Sequence, residues 1–239
     1  MGAGSRVFFA LQAIMMAISA GTTALVARAW GAGDYEEASR VTMASLVLAG
    51  LLSLLIAVFG IALASDMAGV FGLDDAASDL ATRTIQWLSF FNLAFAISFV
   101  LQAALRASGD AWTPLWVGIG CNIINLPLFY AFIFGNWGAP NMGVVGSAVA
   151  GGISFAAGSL FMLIMWLRQR FRVRYINHGW WRRERLARLL EIGYPAALEQ
   201  GVFQIGFFIF LILIGNYYGT EAFAAYNIGV NLLAICWTV

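Results

Sequence analysis

Of the 239 residues, 62% are hydrophobic and 10% are charged, against roughly 25% charged in a soluble domain. A chain this apolar cannot cover itself with polar surface in water, so lipid is the expected outer solvent and the expected fold class is an all-α membrane protein, a polytopic helical bundle. All 13 basic residues are Arg and the sole histidine is His178; the composition thus excludes a Walker lysine loop and a Schiff-base lysine, and leaves histidine-based metal, haem or Ser-His-Asp chemistry resting on one residue in a polar segment. The net charge of +1 points to no class of partner. Cys121 and Cys236 both sit in apolar stretches, where cysteine behaves as a small hydrophobe, and a disulfide between them is not expected.

A membrane-crossing helix needs roughly 20 apolar residues. The gaps between charges predict about seven: residues 7–27, 41–65, 84–105, 112–134, 142–167, 192–218, and one starting near Ala222. No charge occurs from Ala111 to Leu167, which is too long for one span, and Gly135-Asn136-Trp137-Gly138-Ala139-Pro140-Asn141 is the turn signal that divides it.

Short cytoplasmic loops collect basic residues. Arg28 and Arg40 lie between the first two spans, Arg106 follows the third, and Arg168, Arg170, Arg172, Arg174, Arg182, Arg183, Arg185 and Arg188 lie between the fifth and sixth. Against these stand Arg6 and Arg83, the latter in a loop otherwise acidic with Asp66, Asp74, Asp75 and Asp79. The Arg-rich connections are therefore expected inside and the amino terminus outside. An outside start without a leader, and the apolar ending Cys236-Trp237-Thr238-Val239, lead to the expectation that the natural protein extends beyond both ends. The stretch from Arg168 to Arg188 is the one long polar segment. Its part from Trp180 to Leu190 reads as a basic amphipathic helix, anchored at the headgroups by tryptophan and by attraction of Arg to anionic lipid, and placed to link two lobes; no nucleic-acid partner is expected.

Three features inside the spans carry candidate chemistry. Gly146, Ala150, Ser154 and Gly158 recur at four-residue steps and so form one small-residue stripe, a packing or sliding face. Asn122 and Asn125 lie near mid-membrane beside Pro127, whose missing N–H frees the carbonyl of Ile123. Unsatisfied polar groups in hydrocarbon cost several kcal/mol, so these must face protein, water or a bound ion; interhelical hydrogen bonding and cation or substrate binding both remain open. Glu199 is the single acidic side chain well inside a span, on the order of 13 Å from the edge near Leu190 at ~1.5 Å per residue. A charge at that depth costs at least about 2.5 kcal/mol, and desolvation favours the neutral acid. Glu199 is therefore a candidate proton-coupling carboxyl, with Gln200 and Gln204 lending hydrogen bonds; the alternative is a protonated structural acid bonded to a neighbour.

The stretch Leu105-Arg106-Ala107-Ser108-Gly109-Asp110-Ala111-Trp112-Thr113-Pro114, then Asn125 to Gly135, then Pro140-Asn141-Met142-Gly143-Val144-Val145-Gly146-Ser147-Ala148-Val149-Ala150, resembles the multidrug and toxic compound extrusion family. So do Ala27-Arg28-Ala29-Trp30-Gly31-Ala32-Gly33-Asp34 and Gly219-Thr220-Glu221-Ala222-Phe223-Ala224-Ala225-Tyr226. The resemblance covers nearly the whole chain. It implies a two-lobe transporter fold of twelve helices, here incomplete: residues 1–167 as helices two to six of the first lobe, 168–190 as the cytoplasmic linker, and 191–239 as the start of the second lobe. It further implies export of organic cations or other amphipathic drug-like compounds, by alternating access, against an inward proton or sodium gradient. No bound cofactor is implied beyond that coupling ion. The implied setting is the bacterial inner membrane, surrounded by membrane lipid, with the complete protein a monomer. For the cation site of the first lobe, Asn125 matches the family pattern. Phe129, where Asn or Asp is common, and Gly151, where Thr is common, depart from it, so a sodium site of that type is not carried over. A Glu that one clade places on the seventh helix falls at Phe203, one turn beyond Glu199, and positions four apart share a helix face.

A related lipid-linked oligosaccharide flippase is the second reading. It calls for cationic side chains in a wide cavity, and no Arg lies deep in any span. An intramembrane enzyme would need His, Cys or paired carboxylates at matched depth, and the chain offers one isolated Glu.

Overall fold

The computed structural model describes residues 2–69 and 75–237, with side chains described for 12, 14–69, 75–214, 217, 225, 226 and 228–230. The described residues form helices without strands: α1 (Gly2–Gly31), α2 (Tyr35–Ala62), α3 (Ala64–Gly69), α4 (Asp75–Phe90), α5 (Asn92–Ala107), α6 (Trp112–Phe134), α7 (Gly143–Leu167) and α8 (Arg183–Trp237). Among them, α2, α6, α7 and the Arg183–Ile214 part of α8 are long and apolar enough to cross a bilayer, and α4 with α5, taken together, meets the same criterion of length and composition. α1, at 30 residues or about 45 Å, also has the length. Large apolar side chains face outward along these helices, including Leu51, Leu55, Val58 and Phe59 on α2 and Trp116, Ile123 and Leu126 on α6. Such a surface is tolerable only against lipid or further protein.

Two turns share one device. The chain leaves α1 through Gly33 at φ 77°, and the carboxylate of Asp34 accepts the Glu37 N–H at 2.9 Å to start α2. It leaves α5 through Gly109 at φ 82°, and the Asp110 carboxylate accepts from the Thr113 N–H at 3.0 Å and the Thr113 hydroxyl at 2.6 Å to start α6. In both, glycine supplies the left-handed backbone and aspartate caps the next helix. α6 ends at Gly135, φ 71°, where the N–H groups of Gly135 and Asn136 both donate to the Ala131 carbonyl. The expected turn signal thus works as a helix stop.

Two expectations are corrected. Residues 84–105 are not one straight span: α4 and α5 meet at Phe91 with a 52° bend. The aromatic ring of Phe91 occupies the space that a Cβ on Gly152 of α7 would need, so the bend is held by packing. The sixth span is not a separate helix either, because α8 begins in the Arg-rich segment at Arg183 and runs on through it. The reversal expected between the sixth and seventh spans is nevertheless present. The rings of Phe210 and Tyr226 lie 5.0 Å apart, where a straight helix would separate their Cα atoms by about 24 Å, so the chain doubles back between them within helical backbone.

The core has three parts. Met15, Ile18, Val26, Val41, Val100 and Leu189 join α1, α2, α5 and α8; Leu101, Leu105, Met162 and Trp166 join α5 to α7; Ala64, Ala68, Ile85 and Leu211 join α3, α4 and α8. α1 and α8 cross closely, since a Cβ on Gly21 would come within 2.7 Å of the Leu189 carbonyl oxygen and one on Gly193 within 2.9 Å of that of Ala17.

The three Arg-bearing connections gather at one end of the bundle. Arg185 is buried and donates Nε and Nη2 to the two carboxylate oxygens of Glu37 at 2.7 and 2.6 Å, and Nη1 to the carbonyls of Gly179 and Trp180 at 2.8 and 2.7 Å. The Arg174 N–H donates to the Ser39 hydroxyl at 3.0 Å, and Arg172 Nη1 to the Ser108 carbonyl at 3.4 Å. Counting charges required these segments on one side, and the fold provides it.

Candidate coupling and substrate site

The amides of α6 are used differently from one another. Asn125 is half-buried and donates Nδ2 to the Ser154 hydroxyl of α7 at 3.3 Å, while that hydroxyl donates to the Ala150 carbonyl at 2.8 Å. A Cβ on Gly151 would lie 3.9 Å from Asn125 Nδ2, so position 151 borders the same amide. Asn122 is exposed and donates to the Gly118 carbonyl of its own helix at 2.9 Å. The structure therefore joins Asn125 to α7 and leaves Asn122 outside that contact.

The small-residue stripe is the seat of α6. A Cβ on Gly146 would come within 2.5 Å of the Phe132 carbonyl oxygen, and one on Gly158 would collide with Cys121 Sγ. Ala150 and Ser154 are buried between them. Cys121 is a free thiol; Cys236 lies outside the described side chains.

Glu199 is exposed on α8, and Gln200 and Gln204 are half-buried beside it. None of the three has a hydrogen-bond partner among the described residues. Phe203, one turn on, is exposed as well, at 67%. Together they form a face of α8 that is apolar at Phe203 and carries one carboxyl. Among the described residues α8 packs on α1 and α2, and through Leu211 on α3 and α4, and comes close to neither α6 nor α7. Glu199 and Asn125 thus belong to two separate groups.

Sequence reasoning missed a third polar group, at the bend. Gln12 Nε2 of α1 donates to Asn92 Oδ1 at 2.8 Å, and Asn92 Nδ2 donates to the Ser53 carbonyl of α2 at 2.9 Å. Gln12 and Asn92 are both buried, and the Gln12 Oε1 and Ser89 hydroxyl oxygens beside this knot have no partner among the described residues. The available signal was an amide inside an apolar run, the same signal that marked Asn122 and Asn125.

These features define a polytopic helical membrane protein whose long segments carry isolated polar groups. Comparison with known proteins gives its family. The MatE family model matches residues 1–131. The probable multidrug resistance protein NorM of Thermotoga maritima is 30% identical over 237 residues, covering 97% of this chain and 50% of that protein. The probable multidrug resistance protein YoeA of Bacillus subtilis is 29% identical over 235 residues, covering 95% and 50%. Among solved structures, an inward-facing multidrug resistance MATE family transporter of the MOP superfamily superposes with a TM-score of 0.84 at 25% identity, over 95% of this chain and 51% of that one. The chain belongs to the MatE family of multidrug and toxic compound extrusion transporters. It spans about half the length of the relatives it matches.

Proposed function

We propose that this chain serves secondary active efflux of organic cations or similar amphipathic compounds from a bacterial cell, driven by cation antiport, with Glu199 as the proton-carrying group. The observation that carries this reading is a carboxyl within an apolar span, exposed on a helix face shared with Phe203 and free of internal partners among the described residues. A carboxylate there attracts an organic cation, the adjacent aromatic offers it apolar and cation–π contact, and protonation releases it. Competition of proton and substrate for one carboxyl is the simplest form of antiport. Asn125, at the α6–α7 contact, is assigned to the first-lobe cavity, where its amide can orient substrate or ion; Asn122, Gln200 and Gln204 are the supporting polar groups of the two faces. The Arg-bearing end of the bundle is assigned to the cytoplasm by the positive-inside rule.

The test is ethidium export from efflux-deficient bacteria carrying the reading frame that contains this chain. Accumulation is expected to fall, to recover when an uncoupler collapses the proton gradient, and to recover equally in Glu199→Gln at matched membrane abundance. Uncoupler-sensitive export that survives Glu199→Gln would remove Glu199 from the mechanism, and export that ignores the uncoupler would remove proton antiport.

A further inference from the structure

At the Arg-bearing end, between the close of α1, the start of α2 and the start of α8, lies a cavity of about 310 Å3. Its floor is apolar, formed by the buried Leu25 and Val41. Its walls carry Arg28, Arg182, Arg185 and Arg188 against the carboxylates of Asp34, Glu37 and Glu184. Two of those carboxylates already have roles: Glu37 is paired with Arg185, and Asp34 accepts the Glu37 N–H that opens α2. Arg28, Arg182 and Arg188 have no ion pair among the described residues, and neither have Glu184 and Asp34; beyond the Arg185–Glu37 pair the walls thus hold three guanidinium groups against two carboxylates, a rim with one excess positive charge above an apolar floor. The rim lies where the spans α1 and α2 end, beside Trp181, which is 63% exposed and of the residue type that settles at the headgroup level.

We propose that this cavity binds the phosphate of an anionic phospholipid, held by the guanidinium groups of Arg28, Arg182 and Arg188. A guanidinium presents planar, paired donors that match phosphate oxygens, and it stays charged at every physiological pH. The apolar floor takes the glycerol and the first methylenes of the acyl chains, contact that a free phosphate could not make. Arg28 belongs to α1 whereas Arg182 and Arg188 belong to the segment that opens α8, so the bound lipid ties the linker to the first lobe alongside the Arg185–Glu37 pair. That the lipid comes from the inner leaflet rests on the orientation proposed above; the binding itself does not.

The experiment is a lipid titration of the purified chain in neutral detergent, read by native mass spectrometry, with phosphatidylglycerol as ligand and phosphatidylcholine as the zwitterionic comparison. Phosphatidylglycerol is expected to be retained at least tenfold more tightly. The preference is expected to vanish in the triple variant Arg28→Gln, Arg182→Gln, Arg188→Gln and to persist in the equally discharged triple Arg106→Gln, Arg168→Gln, Arg170→Gln. The single variant Arg28→Gln, which leaves the linker untouched, is expected to lose at least threefold, so that the assignment is still tested if the triple fails to fold. Equal losses in both triples, or no loss in Arg28→Gln, would mean diffuse surface attraction and would overturn the site. Displacement of the lipid by millimolar glycerol 3-phosphate would show that the phosphate alone is recognised and would overturn the lipid assignment. All these readouts are made in micelles and are blind to sidedness and to transport, so failure of the efflux reading leaves them interpretable.

Discussion

Replacing Glu37 with Ala strands the guanidinium of Arg185. The Arg185 side chain is 4% exposed and spends two of its donors on Glu37, which is itself 35% exposed. Removing one partner of a fully buried pair costs about 3–5 kcal/mol, and the water that reaches the Glu37 side reduces this to about 2 kcal/mol. Each 1.4 kcal/mol is tenfold in an equilibrium, so opening of the segment around Arg182 and Arg183 is expected to become about 30-fold more populated. Limited trypsinolysis after these residues, in detergent and under conditions where cleavage is slower than reclosing, reads that population directly. Glu36→Ala is the comparison: its partners are Arg40, one turn away on the same helix, and the exposed His178 at 3.6 Å, and Glu36 itself is more than half exposed, so the loss is below about 1 kcal/mol and cleavage rises less than about fivefold. A rise below threefold for Glu37→Ala, or equal rises in both variants, would refute the argument that Arg185 fastens the linker.

Gly146→Ala is expected to destabilise the chain by about 1–3 kcal/mol, because the new methyl meets the backbone carbonyl of Phe132 at 2.5 Å and α6 must retreat; Gly118→Ala, with open space around it, is expected to leave the melting temperature in detergent unchanged or slightly raised. Asn92→Ala removes the acceptor of Gln12 Nε2 and the donor to the Ser53 carbonyl at once, and is expected to cost about 2–3 kcal/mol in the same measurement. Asp110→Ala deletes the cap of α6 for about 1 kcal/mol, read as faster amide exchange in its first turn.

Much of this fold was legible in the sequence because the bilayer simplifies the problem. A span is recognised by length and freedom from charge, and the boundaries expected for α6, 112–134, coincide with the helix because Asp110, Gly135 and the turn after it are local signals. The bend at Phe91 was illegible since both sides of it are apolar; it depends on Gly152, 61 residues away in sequence, offering room for a ring. The Glu37–Arg185 pair was hidden for the same reason, its partners standing 148 residues apart. Of the candidate site, the amide at Asn125 was read in the right helix, and its partner Ser154 was visible only as a member of the small-residue stripe. That Asn122 turns back to its own helix could not be read, because two amides three residues apart share a depth whichever neighbour each finds.

A bilayer-spanning bundle with its three Arg-bearing connections, α1–α2, α5–α6 and α7–α8, on the cytoplasmic side is the central proposal. In a background with Cys121 and Cys236 replaced by Ser, Trp137→Cys in the α6–α7 turn and Trp181→Cys before α8 are to be labelled in intact spheroplasts with a membrane-impermeant maleimide. Position 137 is expected to react at once, and position 181 only after permeabilisation. Immediate labelling at 181 with protection at 137 would contradict the topology, and equal labelling of both would contradict the membrane-spanning bundle itself.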